Sequence, residues 1–165
     1  MAFRNMKKVF ASISSRVKSL ELHPTEPMLA SAMFDGTVQI FNTNDWTILR
    51  TIHVSPTKPV RCIRWMPSLQ AVITGGDDFT ISAFDYNTGT LLASYPKAHD
   101  DIIRAIAVHP TQPLVLSASD DNSIKLFKVE KNKISFVQEF SGHKHFVIDV
   151  KFNPKNFYGG HKVNR

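Results

Sequence analysis

Apolar residues recur at a spacing of about two along "VKSLELHP" (17–24), "IRAIAVHP" (103–110) and "VIDVKFNP" (147–154). That texture predicts half-buried strands, not helices. "QAVITGG" (70–76) and "PLVLSAS" (113–119) are short apolar runs bounded by turn formers, which predicts buried central strands. Alternation returns in "TVQIF", "TISAF" and "SIKLF", entered through Asp-Gly, Asp-Phe and Asp-Asn turns. A less regular run closes each group, as "TILRTI", "LLASY" and "SFVQEF", and "DYNTG" (85–89) supplies a hairpin turn ahead of the second of these. Each group therefore predicts a four-stranded antiparallel meander.

The groups are copies. "LHPTEPMLASAMFDGTVQIF" (22–41) returns as "VHPTQPLVLSASDDNSIKLF" (108–127). Pro24, Pro67, Pro110 and Pro154 fall at intervals of 43, 43 and 44. Val17, Val60, Ile103 and Val147 keep the same step, as do Asp35, Asp78 and Asp121, and Phe41, Phe84 and Phe127. A four-stranded unit repeating every ~40–45 residues is the size of a propeller blade, which buries its faces only by stacking on copies of itself. The expected fold is all-β: a β-propeller of three complete four-stranded blades plus the start of a fourth, a partial ring. The units run from about 14–55, 56–97, 98–140 and 141–155, with an atypical tail at 156–165. "MKKVF" (6–10) resembles the strand that completes the last blade of a closed propeller, but its partner strands are absent. A truncated product or a fragment of a longer protein is expected, with bare apolar blade faces that favour association.

Particular residues resemble the WD-repeat family. "KAHDDIIRAIAVHP" and "SGHKHFVIDVKFNP" carry an Ala-His or Gly-His opening at His99 and His143. Ser31, Thr74 and Ser117 each stand four residues before the turn aspartate, where that family keeps a buried hydroxyl. The resemblance implies a hydrogen-bonded chain of His, hydroxyl and Asp that pins a strand to the neighbouring turn. Only the third unit holds all three members, His99, Ser117 and Asp121; Ile13 and Pro56 replace the histidine elsewhere, and the family's tryptophan is phenylalanine in all three complete units. The same three residue types could be read as a catalytic triad, but no nucleophile elbow accompanies them, so a structural role is expected.

Composition narrows the classes. The 165 residues are 42% apolar and 21% charged, as in ordinary folded chains. No apolar run reaches the roughly 18 residues a membrane-spanning helix needs. One cysteine, Cys62, excludes an internal disulfide framework, and no Cys/His pair has zinc-ligand spacing, so neither metal nor cofactor is expected. No phosphate-binding loop or metal constellation points to an enzyme. The first twenty residues have five basic residues and no acid, as presequences do, although the last of these basic residues belong to the first repeat. A net charge of +6 suits nucleic acid, anionic membrane or acidic peptide alike.

The rim discriminates better. Loops entering the inner strands of a propeller line one mouth of its channel, and here they carry Arg16, Lys18, Arg61, Asp101, Arg104 and Asp120. A wholly basic rim would suit a phosphate backbone. A mixed one suits a short ligand with both charges, such as a peptide C-terminus with lysines nearby. "SSRVKSLELHPTEP", "KPVRCIRW", "GGDDFTISAFDYNTGTLL" and "FSGHKHFVIDVKFNPK" moreover resemble the N-terminal propeller of the coatomer β′ family, from about Met6 to Lys155. That resemblance implies a COPI vesicle-coat subunit. It would recognise dilysine signals on cytoplasmic cargo tails, in Golgi-to-ER retrieval and intra-Golgi transport. It would sit in the cytoplasm and peripherally on Golgi membranes and coated vesicles, with other coatomer subunits, the alpha subunit in particular, as partners. By position, Lys18 and Arg61 would hold the peptide's carboxylate with Arg16 nearby, Asp101 and Asp120 would take the lysines, and Arg104 would set their geometry. Phe34 stands where the family has a tyrosine, and acids of later blades are missing. The competing class is a WD-repeat scaffold of a nucleic-acid or ribonucleoprotein complex, although no nucleic acid is expected from so mixed a rim.

Overall fold

A computed structural model describes residues 15–153. Ile13, "MKKVF", Pro154 and the tail at 156–165 lie outside the described residues. Among the described residues, twelve strands form three antiparallel sheets, each a meander in chain order. The first holds β1 (Val17–Leu22), β2 (Met28–Met33), β3 (Thr37–Asn42) and β4 (Ile48–His53). The second holds β5 (Val60–Met66), β6 (Ala71–Gly76), β7 (Ile81–Asp85) and β8 (Leu91–Tyr95). The third holds β9 (Ile103–Val108), β10 (Leu114–Ser119), β11 (Ile124–Glu130) and β12 (Lys133–Phe140). β1 lies beside β5 and β5 beside β9, so these are the inner strands of successive propeller blades in a partial ring.

Local chemistry explains the recurring His-Pro-Thr phrase. The Nδ1 atom of His23 accepts the amides of Thr25 (3.3 Å) and Glu26 (2.9 Å), and that of His109 accepts those of Thr111 (3.2 Å) and Gln112 (3.0 Å). Each ring thus caps the turn that its own proline opens. The turn aspartates work the same way at the other end of the blades: Asp35, Asp78 and Asp121 each accept the amide two residues on, from Thr37, Thr80 and Ser123.

Blade faces supply the core. Ala30, Ala32, Val38, Ile40 and Ile52 of the first blade pack on Val60, Ile63, Trp65, Val72 and Phe84 of the second. Ile73, Ile81 and Ala83 of the second meet Ile103, Ile106, Val115 and Phe127 of the third. Glu21 adds polar stitching between the first two blades: its carboxylate accepts the Trp65 amide at 2.7 Å, and its carbonyl accepts the Trp65 indole N–H at 3.0 Å.

The segment expected as the first strand of a fourth blade differs from expectation. Val147 and Val150 are buried against Ala105, Ala107, Leu116 and Ala118, and the Val147 amide donates to the Ser119 carbonyl at 3.0 Å. Yet 147–153 forms no strand ladder among the described residues. Its apolar side chains still do the work of the next blade.

Candidate functional site

The rim of the arc is built from one device used three times. Each inner strand bulges at the same place. Val17 pairs with Met33 and Ser19 with Ala32; Val60 pairs with Gly76 and Cys62 with Gly75; Ile103 pairs with Ser119 and Ala105 with Ala118. The residue skipped by the ladder is Lys18 in the first blade, Arg61 in the second and Arg104 in the third. A bulge frees one side chain from the alternation of the strand and re-aims it. Here it re-aims a cation every time.

Beside each bulge the backbone holds a second slot in register. The Phe34 amide donates to the Arg16 carbonyl (2.8 Å), that of Asp77 to Pro59 (3.0 Å) and that of Asp120 to Ile102 (3.0 Å). The side chains in these equivalent slots differ in kind. Asp77 takes Arg61 in a two-pronged pair, Nε to Oδ1 and Nη2 to Oδ2, the latter at 2.9 Å. Asp120 takes Arg104 likewise, with Nε at 2.8 and 2.9 Å from its two oxygens and Nη2 on Oδ2. In the first blade the slot holds Phe34. The Arg16 guanidinium lies 5.1 Å and the Lys18 ammonium 5.7 Å from its ring centroid. Among the described residues neither cation has a carboxylate partner.

The acids are not equally open. Asp120 keeps 4% of its side chain exposed and is spent on Arg104. Asp101 is half-buried, and its Oδ1 accepts the Ile102 amide at 2.7 Å. Arg104 is held above its ordinary pKa by the hydrogen bonds it donates to Asp120, against the effect of burial, with the charges of Asp120, Asp77 and Asp101 adding to it. Blades two and three therefore carry two cations and three carboxylates, and all three acids act on Arg104 through their charge. Asp77 was not among the candidates read from sequence. The signal was there, since it stands one 43-residue period before Asp120.

His99, Ser117 and Asp121 lie elsewhere and do something else. The His99 Nδ1 atom is 2.8 Å from Asp121 Oδ2, and its Nε2 atom is 2.6 Å from the Ser117 hydroxyl. Burial lowers the His99 pKa, partly offset by the hydrogen bond to Asp121, so the ring is neutral near pH 7. The Nδ1–H then donates to the carboxylate, and Nε2 accepts from the serine. Burial alone would raise Asp121, but the Ser123 hydroxyl and amide and the His99 ring outweigh it and bring it down to about 2. Ser117 and His99 are 0% and 1% exposed, so no substrate reaches the hydroxyl. Among the described residues no three His, Cys, Asp or Glu side chains gather to hold a metal ion.

Comparison with known proteins agrees with this architecture. The family described as WD domain, G-beta repeat, matches residues 89–128, and the anaphase-promoting complex subunit 4 WD40 domain matches residues 2–68. Coatomer subunit beta' from Rattus norvegicus and from Homo sapiens is 41% identical over 73 residues, which is 44% of this chain and 8% of those proteins. The probable cytosolic iron-sulfur protein assembly protein 1 of Yarrowia lipolytica is 36% identical over 61 residues, 37% of this chain and 18% of that protein. The matched stretch is thus a small part of each relative.

Proposed function

We propose that this chain of WD repeats is a peptide-recognising part of a COPI-type vesicle coat, and that its rim grips cytoplasmic tails ending in a dilysine signal. In this reading it binds rather than catalyses. It works on the cytosolic face of Golgi membranes and coated vesicles, beside other coatomer subunits, the alpha subunit among them, in Golgi-to-ER and intra-Golgi transport. The observation that carries the reading is the first-blade slot. Where the other blades neutralise the bulged cation with their own aspartate, Phe34 leaves Arg16 and Lys18 for an outside anion. A terminal carboxylate fits there, and Asp101, more open than Asp120, offers a partner for a lysine ammonium group. Opposed charges so arranged confer orientation and discrimination more than affinity.

The test is titration of the full chain with a labelled peptide ending Lys-Lys-Ala-Ala. Lys18 is exposed, so Lys18→Glu tests the site without touching the core. We expect the variant, and a C-terminally amidated peptide on the wild type, to bind about tenfold more weakly, the size of one lost charge-assisted contact. Equal binding in all three experiments would overturn the reading. Tighter binding of single-stranded RNA than of peptide, lost steeply with salt, would favour the ribonucleoprotein class suggested by the net charge of +6.

A further inference from the structure

The rim holds one open cation pair and two latched cations, Arg61 and Arg104, and the more exposed latch is Asp77, at 17% against 4% for Asp120. Both oxygens of Asp77 are used on Arg61, and Nε and Nη2 of Arg61 are used on Asp77. The two side chains keep 19% and 17% of their surface exposed, so the pair is at the edge of solvent and within reach of a ligand. Two-pronged arginine–carboxylate pairs are the strong kind, and a second carboxylate cannot use the same guanidinium edge. A ligand carboxylate that seeks this edge of Arg61 must therefore displace Asp77. A bare anion would leave Asp77 charged and unpaired, which opposes the exchange. A ligand carrying an ammonium group beside its carboxylate relieves that cost, because it offers Asp77 a new cation as it takes the old one.

We infer that Asp77 is a specificity latch: it withholds Arg61 from simple anions and yields it to tails that bring lysine and carboxylate together. The inference rests on reading the rim as a peptide-tail site. Three features of the structure support it. The equivalent slot is aromatic in the first blade, so the carboxylate is not required by the turn itself, whose backbone bond to the inner strand is the same in all three blades. The carboxylate of Asp77 makes no other hydrogen bond or ion pair among the described residues. Its charge also acts on Arg104, as do those of Asp101 and Asp120, so Asp77 belongs to the same acidic field of the rim.

Two peptides and two variants test this on the full chain. The peptides end Lys-Lys-Ala-Ala with both lysines free or both acetylated. Asp77→Asn keeps the shape of the side chain and removes its charge. It should tighten binding of the acetylated peptide about fivefold, while the free-lysine peptide changes by less than about twofold, so that discrimination collapses. Adding Arg61→Gln to Asp77→Asn should cancel the gain, which ties it to the released guanidinium and not to a general loss of negative charge. Wild-type binding of the free-lysine peptide with unchanged discrimination in Asp77→Asn would overturn the latch and leave the rim reading standing. Failure of wild type and Asp77→Asn to bind either peptide would overturn both.

Discussion

Replacing Asp121 with asparagine removes a charge from the buried chain of the third blade and should measurably weaken the fold. The carboxylate sits at about 2 against a reference of 3.8, so its ionised form is favoured by the native state. A depressed acid contributes stability above its unfolded pKa and loses it as the pH falls through the folded value. The shift corresponds to about 2 kcal/mol at neutral pH, roughly half of it gone by about pH 3. Asparagine keeps one oxygen for the His99 N–H but cannot serve the Ser123 hydroxyl and amide equally well. Urea unfolding followed by the fluorescence of Trp65, buried between the first two blades, provides the assay. The wild type should exceed Asp121→Asn by about 2 kcal/mol near pH 7 and by about half that near pH 3. Two outcomes refute the reasoning: a neutral-pH difference below about 0.5 kcal/mol, or a difference that does not shrink in acid.

Two further perturbations test the scaffold. Gly36 has φ +86°, and a Cβ there would stand 2.1 Å from the Ser55 carbonyl oxygen, so Gly36→Ala should cost about 3 kcal/mol or more in chemical unfolding; an unchanged midpoint would mean the turn is not held as described. Burial raises the Glu21 pKa, with the Trp65 amide and Arg64 only partly opposing it, so its proton is bound more tightly in the native state and the stability it contributes falls as pH rises through the folded value. Glu21→Gln keeps an acceptor for Trp65 and should be as stable as wild type or up to about 1 kcal/mol more stable near neutral pH, with thermal unfolding as the check.

The fold was legible because backbone and core demands repeat. The meander, the period and the buried central strands all follow from apolar spacing and turn residues. The bulges were legible too, although the inner strands read at first as plain alternation. Their apolar positions step by three and then by two, as in Val17, Leu20, Leu22 and in Val60, Ile63, Trp65. A pleated strand has period two, so a step of three marks the inserted residue. The same step in Val147, Val150 and Phe152 shows the pattern of an inner strand, although no ladder forms there among the described residues. Pairing among charges was not legible. Arg61 and Arg104 look alike as rim cations, and only coordinates show that each is engaged by the aspartate sixteen residues on.

A repeat protein offers an internal control for function, since equivalent positions share a backbone and differ only in what their side chains must do. Departures from the repeat are therefore where a special role should be sought, but departure alone does not distinguish function from local stability. Exposure does. His99 departs from Pro56 one period earlier, and the ring is 1% exposed and bonded to a serine that is 0% exposed, so that departure serves the fold. Phe34 departs from Asp77 and Asp120, stands 42% exposed, and leaves two cations in solvent with no carboxylate among the described residues to meet them. An exposed phenylalanine in place of an ion-pair partner gains nothing for the core and gives up a pair that two sister blades keep. That loss makes sense if the cations are reserved for a partner that arrives from outside.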